Sequence, residues 1–294
     1  MVPVIFGEVL IDVFPNGEEL LGGAPFNVAW HLRGLGLRPL LATCVGEDRR
    51  GLRILERMEG FGLTTEAVQR APCLPTGTVQ VLFREGSPEF RVAPAGAYDR
   101  IDPEAALKVL RGKSVSLLYN GTLALRAQDS RRALATLAER FPRAIRFVDL
   151  NLRPPWHNPE IVEEQLRATD WLKLNRSELE TIRPGGGKLV EKARKLVRRY
   201  GLDGLIVTLA EEGACLVTGE EELQKVATSV SRPGDEVGAG DGFSAVWICG
   251  LLLKWPRPLI MERALQFAAA VCEIKGAVSK ERSWYDVFRR EWAL

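Results

Sequence analysis

The stretch Pro233 to Leu253, PGDEVGAGDGFSAVWICGLLL, sets a glycine-rich turn directly ahead of an uninterrupted apolar run of helical length. Glycines at 238 and 240 let backbone N–H groups converge on one concavity. A helix starting there adds its own unpaired amides and the positive end of its dipole, which together make a cradle for an anion. Asp241 stands at the mouth of that cradle. A carboxylate beside a phosphate site has a use if it takes a proton from a group about to be phosphorylated. The chemistry indicated is phosphoryl transfer. The plainer alternative for a GxGD sequence is a helix start with an acidic first-turn residue.

Further polar groups follow the ends of expected strands, where ligands of open parallel sheets bind. Asp149, Asn151 and Arg153 lie at and just past the end of Ile145–Leu150, Asn175 and Glu178 follow Trp171–Leu174, and Leu205–Leu209 carries Thr208 near its end, just before AEEG. Each has an ordinary reading too. The first three could form a strand-to-loop cap with a surface ion pair, and Asn175 with Glu178 three residues on has the spacing of a capping box. As a site, Asn and Glu could hold the waters of a Mg²⁺ ion, which keeps much of its hydration shell. Glycines 185 to 187 with Lys188 fail the spacing of a phosphate loop, and Leu189 stands where its hydroxyl should be, so they read as a plain loop. Near the N-terminus, Gly22-Gly23-Ala24-Pro25-Phe26-Asn27 opens a helix and permits close backbone approach to a ligand. Asn27 in a first helical turn usually faces solvent or caps, and Asp12 is a surface charge on the plain reading. If the segment carrying Asp12 is a lid, Asp12 and Asn27 reach the cavity of Asp241 and offer what a polyhydroxylated sugar requires.

The elements that position these groups alternate. Strands are expected at Val4–Phe6, Leu40–Val45, Val115–Tyr119, Ile145–Leu150, Trp171–Leu174, Leu205–Leu209 and Ala214–Val217. Helices are expected at Pro25–Leu35, Arg49–Phe61, Pro103–Arg111, Asp129–Arg140, Pro159–Ala168, Leu189–Tyr200, Asp241–Lys254 and Leu259–Lys275. That rhythm predicts an α/β fold, a mainly parallel sheet with helices on both faces. Val9–Leu21 and Thr76–Val92 break it with alternating polarity around Asn16-Gly17 and around Glu85-Gly86-Ser87-Pro88, which predicts two hairpins and a small sheet. No internal repeat appears.

Composition narrows the function. A chain of 294 residues with formal charge +2 has no polybasic stripe, which disfavours nucleic acid and membrane surfaces as partners. The apolar run Phe243–Leu253 is too short for a bilayer and no signal-like N-terminus precedes it, so a cytoplasmic location is expected. The cysteines at 44, 73, 215, 249 and 272 are scattered without CxxC, four of them in apolar surroundings that suit small core residues. With only His31 and His157 present, acid–base chemistry falls to a carboxylate unless one of these two serves. A nicotinamide-dependent dehydrogenase shares the alternation but needs GxGxxG after the first strand, where this chain has Gly22-Gly23 leading to Pro25.

GExLxD at Gly7 to Asp12, GGAPFNVAWHLRGLG at Gly22 to Gly36, VGED at Val45 to Asp48, KLNRSE at Lys173 to Glu178 and DEVGAGDGFSA at Asp235 to Ala245 follow one another across nearly the whole chain. In order and spacing they resemble the ribokinase/PfkB carbohydrate kinases. The resemblance implies a single ribokinase-like domain over residues 1–294, with a β-sheet lid from about 9–21 and 76–98 that in many members also forms a homodimer interface. It implies ATP and Mg²⁺ as cofactors and a sugar as substrate. Gly238, Ala239 and Gly240 would form the anion hole and Asp241 the base. Asn175 and Glu178 would position Mg²⁺ and phosphate. Asp12, Gly23, Asn27 and Arg153 would contact the sugar, and Thr208, Gly213 and Lys173 the nucleotide. Pro25 and the DxNxR of Asp149 to Arg153 followed by Trp156 are most similar to fructokinases. Three departures occur: Glu236 for a usual Thr, which bears on a monovalent cation such as K⁺, Gly242 for a usual Ala, and Ala210 where glycine is frequent. Kinases for ribose, 2-keto-3-deoxygluconate or a nucleoside would share every catalytic residue. A catalytically silent sugar sensor would usually lose the base or the anion hole.

Overall fold

The computed structural model describes residues 1–84, 87–228 and 237–294. The turn at Glu85-Gly86 and the substitution at Glu236 lie outside the described residues. The first strands are β1 (Val2–Phe6), β2 (Leu10–Val13), β3 (Glu19–Gly22), β4 (Leu40–Gly46), β5 (Val68–Ala71), β6 (Gly77–Arg84) and β7 (Ser87–Val92). Then come β8 (Val115–Asn120), β9 (Ile145–Asp149), β10 (Trp171–Asn175), β11 (Gly204–Thr208), β12 (Ala214–Val217) and β13 (Glu222–Lys225). The helices are α1 (Ala24–Gly34), α2 (Arg49–Phe61), α3 (Pro103–Leu110), α4 (Gln128–Arg140) and α5 (Pro159–Ala168). They continue with α6 (Arg176–Ile182), α7 (Leu189–Tyr200), α8 (Ala239–Leu252), α9 (Arg257–Val271) and α10 (Arg282–Trp292).

The chain divides into two compact units, the first comprising Met1–Val115, Ala124–Pro142 and Lys280–Leu294. Within it β4 runs parallel to β1 on one side and β5 on the other, with Val4 opposite Leu40 and Thr43 opposite Val68. Every residue of β4 is buried, as a parallel strand covered on both faces requires. In α2 the buried Ile54, Leu55, Met58 and Phe61 recur at helical spacing, and Phe61 stacks on Trp30 of α1 with centroids 4.0 Å apart. Asp48 caps α2 and also grips Thr76: its carboxylate accepts from Gly51 N at 2.8 Å, Thr76 N at 2.7 Å and Thr76 Oγ1 at 2.7 Å. Both expected hairpins form, as the antiparallel pairs β2–β3 and β6–β7. A parallel β2–β6 pairing joins them into a four-stranded sheet ordered β3-β2-β6-β7.

The second unit comprises Ser116–Leu123 and Arg143–Ser279. Its strands run in the order β13-β12-β11-β10-β9-β8, parallel from β8 to β11 and antiparallel beyond. Val148, Leu172, Leu174, Leu205 and Val207 pack with Val162 and Leu166 of α5 and Ala193, Leu196 and Val197 of α7. Burying each such leucine contributes about 1.5–3 kcal/mol. Helix α8 is buried from Gly242 to Gly250, and a Cβ at Gly242 would sit 3.0 Å from Val271 Cγ2 and 3.2 Å from Phe267 Cδ1. The glycine at this position therefore lets α9 approach closely.

The α/β architecture with a smaller sheet is as expected, and α2, α5 and α7 keep their expected bounds. Four elements were not expected: β5, β13, α6 and α10. Strand β13 is an edge strand of alternating exposure with little apolar content, and α6 spans 7 residues. Helix α8 stops at Leu252, with Lys254 in a left-handed conformation at φ 57°. Helix α9 runs from Arg257, since Pro256 supplies its cap, to Val271.

Candidate active site

In the second unit the parallel register places Asp149 of β9 beside Lys173 of β10, and Asn175 of β10 beside Thr208 of β11. The carboxyl ends of three neighbouring strands therefore bring their polar residues to one edge. Asp149 is 1% exposed. Its Oδ2 accepts from Lys173 Nζ and from Ser244 Oγ, both at 2.8 Å. Lys173 Nζ, itself buried, also donates to Gly240 O at 3.3 Å. One buried carboxylate thus ties two strand ends to the first turns of α8. The ion pair of Asp149 is this buried one with Lys173, not a surface pair in its own loop, and Arg153 is exposed.

Helix α8 begins at its cap Gly238 with φ 86°, and the first N–H inside the helical ladder is that of Gly242, donating to Gly238 O at 2.8 Å. Any Cβ at Gly238 would lie 2.5 Å from Ala277 Cα, so both conformation and space demand glycine. The amides of 238 to 241 precede that ladder and gather the positive end of the dipole. Asp241 is half-buried in the same turn.

Asn175 and Glu178 form a full capping box: Asn175 Oδ1 accepts from Glu178 N at 2.9 Å and Glu178 Oε2 from Asn175 N at 2.8 Å. The other carboxylate oxygen of Glu178 accepts from Leu152 N at 2.7 Å, which fastens the loop after β9. Burial, and next the Asp149 charge, pushes the Glu178 carboxyl above its ordinary range against those N–H groups. Burial alone would lower the Lys173 ammonium, but Asp149, Asp241 and Glu178 hold it above the usual lysine value. Three carboxylates thus bear on one ammonium, an excess of negative charge that suits a divalent cation. Among the described residues no group of three or more His, Cys, Asp or Glu could hold a metal directly. Asn175 and Glu178 fit an ion held through its waters and the substrate's phosphates.

Thr208 ends β11, half-buried. Gly213 follows the turn Ala210–Glu212, in which Ala210 takes φ 52°, the left-handed region that explains the frequency of glycine there.

In the first unit, Gly23 caps α1 at φ 104°, and a Cβ there would lie 2.8 Å from Glu8 O. Asn27 is 4% exposed, so it does not face solvent; its backbone N–H donates to Gly23 O at 2.9 Å. Asp12 on β2 is half-buried between Leu20 of β3 and Val79 of β6, and its carboxylate occupies the space where a Cβ on Gly22 would be. It is not a simple surface charge. Ser244 and the buried Glu8 escaped the sequence reading. Ser244 was findable, one turn after Asp241 in an otherwise apolar helix. Of the five cysteines, all free, Cys44, Cys215 and Cys249 are buried, Cys272 is only half-buried and Cys73 is exposed.

Residues 5–283 match the model of the pfkB family of carbohydrate kinases. The chain belongs to this family. As a pfkB-family carbohydrate kinase it is a phosphotransferase. It is 27% identical over 259 residues to fructokinase-2 of Solanum lycopersicum, covering 82% of this chain and 78% of that one. It is 26% identical over 274 residues to aminoimidazole riboside kinase of Salmonella typhimurium, covering 89% and 83%. A fructokinase of Xylella fastidiosa solved with bound ATP superposes with a TM-score of 0.86 at 19% identity, over 100% of this chain and 99% of that one.

Proposed function

We propose that this pfkB-family kinase transfers the γ-phosphate of ATP to a hydroxyl of a small sugar, with fructose the first candidate. The observation that carries this reading is the start of α8, where Asp241 shares one turn with the amides of Gly238, Ala239 and Gly240. Asp241 removes the acceptor's proton as the oxygen attacks, and the amides stabilise charge developing on the transferred phosphoryl group. Little covalent work remains for the protein in such a transfer. The Asp149–Lys173–Ser244 network fixes the helix start against two strand ends. Asn175 and Glu178 would hold Mg²⁺ through its waters, and the ion would supply positive charge beside the phosphates. Thr208, Gly213 and Lys173 are assigned to the nucleotide, and Asp12, Gly23, Asn27 and Arg153 to the sugar. The four-stranded sheet serves as a lid that excludes water and pairs two copies of a cytoplasmic homodimer. The intact GAGD weighs against a silent sensor.

Fructose is favoured by Pro25 and the Asp149–Arg153 pattern. A nucleoside-like acceptor is the second reading, because a riboside kinase stands at nearly the same identity. ADP release with MgATP across fructose, ribose, 2-keto-3-deoxygluconate, glucose and adenosine separates them. A signal with fructose alone supports the fructokinase reading. A signal with another acceptor keeps the chemistry and discards fructose.

A further inference from the structure

In the first unit, the last turn of α1, the C-terminal end of α2 and one face of α10 enclose a cavity of about 390 Å³. That volume is within the range of small-molecule sites. Arg282, Asp286 and Arg289 sit at positions i, i+4 and i+7, so a single face of α10 delivers all three. Arg33 enters from α1. The charged lining is therefore three guanidiniums and one carboxylate.

Their hydrogen bonds leave the cations undercompensated. Arg33 Nε donates to Gly62 O at 2.6 Å, and Arg282 donates from Nε and Nη2 to Phe61 O at 3.1 and 2.5 Å. Among the described residues neither has a carboxylate partner. Asp286 accepts from Arg289 Nη1 at 3.1 Å, while Arg289 Nε is shielded from solvent and meets no acceptor. The guanidiniums also converge. A Cβ on Gly62 would collide with Arg282 Nη2 and lie 3.3 Å from Arg33 Nη2; one on Gly36 would lie 3.4 Å from Arg289 Nε. Burial, and then Arg282, Arg38 and Arg289, hold the Arg33 guanidinium below its ordinary value.

Capping the C-terminus of α2 accounts for part of this arrangement, since each helix C-terminus carries about half a negative charge. With Asp286 and the ends of α1 and α2 all counted, about one positive charge remains, before Arg38 is added. A cap does not require Arg289. A second cavity of about 400 Å³ shares Arg33 and adds Arg38 and Lys113, the latter paired with Glu66 at 3.3 Å.

We infer that these cavities form a second ligand site, distinct from the residues assigned to phosphoryl transfer, that takes a small organic phosphate or pyrophosphate. One anionic group sits among Arg33, Arg282 and Arg289, whose planar forks match phosphate oxygens, and a second extends toward Arg38.

The test is calorimetric titration of the full chain with pyrophosphate and with inorganic phosphate, in low salt without magnesium. Wild type, Arg282→Gln and Arg289→Gln are compared, each checked by melting temperature. A binding event weakened at least tenfold in both variants, with ADP release unchanged in the absence of added anion, supports the site. Tighter binding of pyrophosphate than of inorganic phosphate supports a ligand with two anionic groups. Wild-type affinity in both variants, or no binding to the wild type at millimolar anion, overturns the proposal. If Arg282→Gln fails to fold for want of its bond to Phe61, Arg289→Gln decides alone.

Discussion

Lys173 and Asp149 show how strongly single residues in this site depend on one another. Their side chains are 8% and 2% exposed and bonded at 2.8 Å. Replacing Lys173 by Met leaves a buried carboxylate without its cation, and breaking such pairs costs about 3–5 kcal/mol. Urea unfolding of Lys173→Met is expected to show a loss of that size. Ser244→Ala removes only a neutral donor from the same carboxylate and should cost about 1–3 kcal/mol. A larger loss for Ser244→Ala than for Lys173→Met would contradict the charge argument. Part of this was legible beforehand. A lysine inside the apolar strand sequence WLKLN demands a buried partner, and Asp149 closes the neighbouring strand. Which of Asp149, Glu178 or Asp241 bonds it directly depends on register, and register is set by long-range pairing.

At the scale of elements, the loop-to-helix junctions at α2 and α6 are held by side-chain caps. Burial pushes the Asp48 carboxyl up, but the N–H groups of Thr76 and Gly51 outweigh it and the carboxyl ends below its ordinary value. A depressed folded-state value means the stabilisation is present above the unfolded value of about 3.9 and is lost as pH falls through the folded one. Asp48→Ala should therefore cost about 0.5–2 kcal/mol near neutrality. The gap to wild type should narrow below about pH 4. A gap independent of pH would contradict the assignment. The main helices and buried strands were readable because apolar periodicity and Pro, Asp or Gly punctuation agree, as at α2 between Asp48 and Gly62. Strand β13 has no such periodicity. Helix α10 does bury Tyr285, Phe288 and Trp292 at helical spacing, but among many charges. The capping box at Asn175–Glu178 was visible as a pattern, yet pattern alone does not separate a structural cap from a metal-positioning pair.

At the scale of the molecule, the chain is a pfkB-family carbohydrate kinase of α/β architecture, and in the proposed transfer Mg²⁺ would serve the chemistry and not the folding. Removing Mg²⁺ with EDTA should abolish ADP release while leaving the melting temperature unchanged, because an ion held through its waters by the proposed Asn175–Glu178 pair would tie no distant segments of the chain together. A coincident loss of structure would contradict this. Among the described residues no helix is long and apolar enough to cross a membrane. The proposed phosphoryl transfer turns on Asp241, and its test is the ADP-release turnover of Asp241→Asn with MgATP and the acceptor found active for the wild type. Normal folding, retained ATP binding and a turnover lower by about 10² to 10⁴ are expected. Turnover near that of the wild type would contradict it.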